Sequence, residues 1–173
     1  MICPSFCARI FTSKYGLGVD VIGCLACDLT AGRQQLPGGV ILDADGWRVE
    51  HCVGPLGVGT LLLKPVRHVT RVAELTSAEA AAQGPLIHRC ASIVETLLTP
   101  AQTYVCLWSH AGGQPVHIHY VVQPVTDAQI AGGLHGPRLQ VEMSTAAVPL
   151  DPERVERFAN EARALLGVAS EGG

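Results

Sequence analysis

Apolar and polar residues along this chain of 173 residues fall into short runs. Most have the two-residue period of strands, and a few have the wider spacing of helices. Residues 39–42 and 47–53 flank Asp45-Gly46, a pair that signals a tight hairpin turn. Residues 59–65 read as a third strand, buried in part on both faces and closed by Pro65. Thr76 and Glu79 have capping-box spacing and predict a helix start. Gly84-Pro85 is expected to kink or restart that helix. Beyond it, Leu86, Cys90, Ile93 and Leu97 make one apolar stripe, and Pro100 closes the element. Residues 103–108 form the next predicted strand. Residues 138–143 also alternate and are expected to be an edge strand. Asp151 suits an N-cap, Pro152 the first helical position and Gly167 the C-terminal cap of a final helix. Val155, Phe158, Ala159, Ala162 and Leu166 form its buried stripe. Strands that mostly follow one another predict an α+β domain, an antiparallel sheet of about five strands with one central and one C-terminal helix.

The domain is expected over residues 23–173. Residues 1–22 lack clear periodicity and contain Gly16 and Gly18. They read either as a loosely attached, disordered extension or as the product of an upstream start codon. Hydrophobic residues make up 48% of the chain and charged ones 16%, a globular composition with enough apolar surface for one core. The formal charge is −3, lysine occurs only at Lys14 and Lys64, and the arginines are scattered, which argues against a nucleic-acid polymer as partner. A small anionic ligand stays open, because amides of a glycine-rich turn hold phosphate without a basic surface. Seven cysteines at irregular spacing do not look like a secreted disulfide framework. No signal-peptide pattern and no run of ~18 apolar residues occurs. A soluble, cytoplasmic protein away from membranes is expected.

The chemistry concentrates where a glycine-rich turn meets two histidines, in Gly112-Gly113-Gln114-Pro115-Val116-His117-Ile118-His119-Tyr120-Val121-Val122. In a strand, His117 and His119 share one face, and Ile118, Tyr120 and Val122 the other. Two adjacent imidazoles suit a metal ligand, a nucleophile, or one of each. Cys24-Leu25-Ala26-Cys27 is a C-x-x-C pair that can grip one ion from a single turn. Tetrahedral zinc then needs two more nitrogen or sulfur ligands, and His68 and His117 would complete a closed, structural site. Redox chemistry at Cys24 and Cys27 is an alternative, though no βαβ pattern surrounds them; two core cysteines is another. His51, His88, His110 and His135 compete as ligands, and the default for each is a core or exposed histidine. His119 can attack a phosphoryl group and form a phosphoramidate. The Gly112 and Gly113 amides and the Gln114 side chain are candidate donors to the phosphoryl oxygens. A metal-bound His117 would hold its neighbour in place. The plainer alternative is that His119 is a half-buried polar residue in a sheet.

The ordered set of pieces resembles the histidine-triad (HIT) superfamily of nucleotide hydrolases and transferases. It comprises the C-x-x-C pair with Asp28, Gly59-Thr60-Leu61-Leu62-Leu63-Lys64-Pro65-Val66-Arg67-His68-Val69, a helix, and Gly113-Gln114-Pro115-Val116-His117-Ile118-His119. The resemblance spans residues 24–123. It implies a sheet domain, a homodimer, and a nucleotide or other nucleoside phosphate as ligand. In zinc-containing members and the related galactose-1-phosphate uridylyltransferases, the matching positions assign zinc to Cys24, Cys27, His68 and His117, and the nucleophile to His119. This chain departs from the pattern in several places. The third motif histidine is Val121. Pro115 stands where Ser or Thr is usual, and one residue is missing between Val116 and His117. Thr60 replaces a common histidine, Leu107 takes the place of an asparagine, and no ribose-binding acid can be placed. Each lost donor costs on the order of 1–3 kcal/mol. Two functions follow. One is a nucleotide hydrolase or nucleotidyltransferase acting through a nucleotidyl-His119 intermediate. The other is a non-catalytic, zinc-stabilised module that binds a nucleotide or a protein.

Overall fold

Asp45 and Gly46 both take positive φ, +52° and +80°, so the turn between the second pair of strands is of the left-handed kind that suits a two-residue hairpin. This computed structural model describes residues 8–13, 16–107, 109, 115–145 and 149–167. In chain order the elements are β1 (Ala8–Ser13), β2 (Gly16–Val21), α1 (Leu25–Thr30), β3 (Val40–Ala44), β4 (Trp47–His51), β5 (Leu61–Pro65), α2 (Ser77–Leu98), β6 (Gln102–Leu107), β7 (Tyr120–Val125), α3 (Asp127–Ala131), α4 (Gly136–Thr145) and α5 (Pro152–Leu166). Strands β3 to β7 form one antiparallel five-stranded sheet in the order β3-β4-β5-β7-β6. This is the α+β architecture with about five strands that the pattern predicts.

One sheet face carries the main core. Trp47 and Val49 of β4, Leu61 and Leu63 of β5 and Val122 of β7 pack against Leu86, Cys90, Ile93 and Val94 of α2 and Phe158, Ala159 and Ala162 of α5. The capping box at Thr76 and Glu79 is formed, and Glu79 also accepts a two-pronged bond from Arg67. Asp151, Pro152 and Gly167 delimit α5 as expected. Helix α2 runs through Gly84-Pro85 as one element of 22 residues, so the expected restart does not occur. Proline removes one N–H from the ladder, and the burial of Leu86, Cys90, Ile93 and Val94 outweighs that loss.

Two expectations fail. Residues 138–143 belong to helix α4, not to an edge strand. Their alternation is incidental: Leu139 is buried, whereas Val141 is among the most exposed apolar side chains. Pro137 in the first turn favours a helix start. Helix α4 docks on the outer ends of β6 and β7, where Gln140 donates to Cys106 and to Gln123. The other failure is at the histidines. Residues 116–119 precede β7 and have no regular structure, although Ile118 N–H still bonds to the Val69 carbonyl.

Before Cys24, where the pattern marks no element, β1 and β2 pair as a separate antiparallel hairpin. Asp20 at its end accepts two bonds from Arg33, which also bonds to Asp28 of α1. None of the helices among the described residues is long and apolar enough to cross a membrane.

Candidate metal centre and active site

A short helix begins at Cys24, whose side chain does not cap it. That thiol turns instead toward the sheet. Cys27, one turn later, points the same way, and both are buried. His68 follows the end of β5, and His117 precedes β7, so two neighbouring strands present two imidazoles to two thiols of α1. The ligand atoms of Cys24, Cys27, His68 and His117 all lie within 4.8 Å of one another. His117 Nδ1 is 3.6 Å from each sulfur, and His68 Nδ1 is 3.3 Å from Cys27 Sγ. A tetrahedral zinc ion, with bonds of about 2.3 Å to sulfur and about 2.0 Å to nitrogen, sets unlike ligands about 3.5 Å apart. The observed separations fit that ion. His117 Nε2 lies 3.1 Å from the Pro65 carbonyl. A carbonyl only accepts, so Nε2 carries the proton and the Nδ1 lone pair faces the sulfurs. The two imidazoles meet edge to face, with centroids 5.2 Å apart.

The two thiols shift in opposite directions. A hydrogen bond from Cys27 pulls Cys24 well below the usual thiol range, against the effect of burial and with help from His117. The same bond, reinforced by burial, pushes Cys27 up. Cys52 and Cys90 are buried thiols pushed up to about 11 and about 12 by burial, inert and away from the cluster.

His119 sits next to this cluster but outside it. Its Nδ1 lies 3.1 Å from the carbonyl of His117, two residues back. Nδ1–H is thus the donor, and Nε2 holds a lone pair with no partner among the described residues. Burial pushes the His119 imidazole below its ordinary value, partly offset by that hydrogen bond. A neutral ring with a fixed tautomer and a half-buried position is the form a nitrogen nucleophile needs.

The other expected groups fall into three sets. Gly112, Gly113 and Gln114, expected as phosphate donors and, for Gln114, as a catalytic group, lie outside the described residues, as does His110. Val121, in place of a third histidine, is buried. Of the remaining histidines, His51 is buried in the core, and His88 and His135 are exposed.

Sequence reasoning missed two buried charges beside the centre. Lys64 of β5 and Glu50 of β4 form an ion pair of 2.6 Å at 1% and 0% exposure. Lys64 Nζ also donates to the Ala26 carbonyl at 3.0 Å, inside the turn that carries both cysteines. Burial pushes the Lys64 ammonium down, and Glu50 opposes that shift. A signal was available at Lys64, which interrupts the otherwise apolar run of β5.

No protein-family profile and no curated protein matches the sequence. Solved structures do match. A zinc-bound histidine triad family protein from Mycobacterium smegmatis is 17% identical over 84% of this chain and 96% of its own, with a TM-score of 0.61. A hypothetical histidine triad nucleotide-binding protein from Sulfolobus tokodaii is 12% identical over 87% of this chain and 100% of its own, with a TM-score of 0.62. The diadenosine triphosphate hydrolase of Plasmodium falciparum, solved with cyclomarin A, is 16% identical over 91% of this chain and 87% of its own, with a TM-score of 0.57.

Proposed function

We propose that this chain, which has the histidine-triad fold, holds a structural zinc ion and transfers a nucleotidyl group through His119. The supporting observation is the His119 ring itself, fixed by its Nδ1–H on the His117 carbonyl, two residues from His117 of the Cys/His cluster and with no partner for Nε2 among the described residues. The Nε2 lone pair forms a bond to the α-phosphorus of a nucleoside phosphate. The bond from that phosphorus to the leaving oxygen breaks, and its electron pair departs with the phosphate leaving group. Water, or another hydroxyl, then attacks phosphorus. The N–P bond breaks, its electrons return to Nε2, and the attacking oxygen loses a proton. Zinc takes no part in these steps; bound by Cys24, Cys27, His68 and His117, it fixes the backbone from which His119 is presented. Gly112 and Gly113 amides and the Gln114 side chain are the proposed donors to the phosphoryl oxygens. The proposed setting is the cytoplasm, with a homodimer as the working assembly.

The second reading, a zinc-stabilised module that binds nucleotide without turning it over, is favoured by one observation. Val121 fills the third motif position with a buried apolar side chain and offers no donor. One experiment separates the two. Wild-type protein and His119→Asn are incubated with nucleoside di- and triphosphates and dinucleoside polyphosphates labelled at the α-phosphate, then denatured. Acid-labile label on wild type and none on the variant is expected. Absence of label across the panel, with calorimetric binding retained, selects the binding module.

A further inference from the structure

Burying two charges costs several kcal/mol per ion, and apolar side chains of the same volume would often serve stability as well or better. The Lys64–Glu50 pair therefore calls for a reason beyond folding. Its placement supplies one. The β5–β7 ladder pairs Leu61 with Val122, Leu62 with Val121 and Leu63 with Tyr120. Lys64 and His119 are the residues next to the last pair, Leu63 and Tyr120, where this ladder ends. On the other side of β5, the ladder pairs Glu50 with Leu62, so the carboxylate lies on β4, one strand farther from His119. The three groups thus run from Glu50 on β4 through Lys64 on β5 to His119, the residue immediately before β7. Two of the three Lys64 N–H donors are accounted for, by Glu50 Oε1 and the Ala26 carbonyl. Glu50 Oε2 is buried without a partner, so the carboxylate is not placed to maximise its own hydrogen bonds.

Resting on the reading of His119 as nucleophile, we propose that Lys64 is a positioning residue for phosphoryl transfer, the positive end of a buried ion-pair dipole that spans β4 and β5 next to His119 at the entrance to β7. Negative charge gathers on the phosphoryl oxygens as Nε2 attacks. A fixed dipole with its positive end toward them, in a region closed to water, stabilises that charge without having to reorient. Lys64 in this way supplies from β5 the charge that Val121 does not supply from β7. Its bond to Ala26 ties the same ammonium to the metal-binding turn.

The test measures single-turnover transfer of label from an α-labelled nucleoside triphosphate to His119, together with nucleotide affinity, zinc content and Tm. The neutral pair Lys64→Met/Glu50→Leu removes both charges. The exchanged pair Lys64→Glu/Glu50→Lys keeps an ion pair in the same place but reverses the dipole. Lys64→Arg keeps the charge. The neutral pair is expected to slow transfer at least about tenfold, and the exchanged pair more, with nucleotide affinity within about threefold of wild type and one zinc per chain. Lys64→Arg is expected to stay near the wild-type rate. Transfer by the neutral or the exchanged pair at the wild-type rate overturns the inference. If the exchanged pair does not fold, the neutral pair decides alone. If wild-type protein takes no label at all, it is the nucleophile reading that falls, and the inference with it.

Discussion

His51 and His119 are both histidines pushed below their ordinary value by burial, yet they do opposite things. His51 uses both ring nitrogens: Nδ1–H donates to the Cys52 carbonyl at 2.8 Å, and Nε2 accepts the Gly59 N–H at 2.8 Å. Protonation would set an N–H against the Gly59 N–H, so the folded state holds this ring neutral. In the unfolded chain it titrates near pH ~6.5. Its contribution to stability is therefore complete above that pH and is lost as the pH falls through it toward the lower folded value. Thermal unfolding between pH 7 and pH 5 should show Tm falling with acid, and His51→Gln, which cannot ionise, should show a shallower fall. An unchanged slope would contradict this account. Among the described residues His119 uses one nitrogen only, and this difference separates a structural histidine from a candidate nucleophile. Spacing singled out His119 as a candidate for chemistry and left His51 at the default of a core or exposed histidine, and the structure buries His51 in the core. It could not reveal the backbone bond that fixes the His119 tautomer, because that bond depends on a local chain path that is not a strand.

Among the elements, those with explicit punctuation were readable. Helix α5 has its cap, its proline and its terminal glycine, and the β3–β4 hairpin has Asp45-Gly46. Gly59 is a subtler signal. It has φ +92°, a backbone conformation that side chains rarely adopt, and a Cβ there would also force the Leu98 side chain at the end of α2 to move, so glycine is favoured just before β5. Gly59→Ala should cost about 2–4 kcal/mol in urea unfolding. The elements that were misread lacked a unique period. Residues 138–143 alternate as a strand would, but Leu139 alone is fully buried there and the helix docks through its glutamine contacts. Leu139→Ala should cost about 2–4 kcal/mol through the cavity left beneath α4. Zinc content should stay unchanged, since α4 contributes no ligand; loss of metal in that variant would show that the two ends of the sheet are coupled. In β2, Leu17, Val19 and Val21 do alternate, but Gly16 and Gly18 between them looked like chain breakers.

At the scale of the whole molecule, the four metal ligands act as a cross-link. Cys24 and His117 lie 93 positions apart, and the cluster pins α1 to the ends of β5 and β7. A strong chelator should therefore remove one zinc per chain and lower Tm by on the order of 10 °C or more for a domain of this size. Hydrogen exchange should quicken first in α1 and at residues 116–119. An unchanged Tm in the chelated protein would mean that the cluster closes without an ion. Most of the sheet strands, the two long helices and the C-x-x-C pair with its candidate partners His68 and His117 were legible in the chain by itself, because period, caps and close spacing are local properties written in neighbouring residues. Only the tertiary structure decided that His68 and His117 reach the same two thiols, that α4 is a helix, and that Lys64 and Glu50 lie buried beside His119. Those facts depend on which strands become neighbours, and strand order is set by packing of the entire sheet against α2 and α5, which no short stretch of sequence contains.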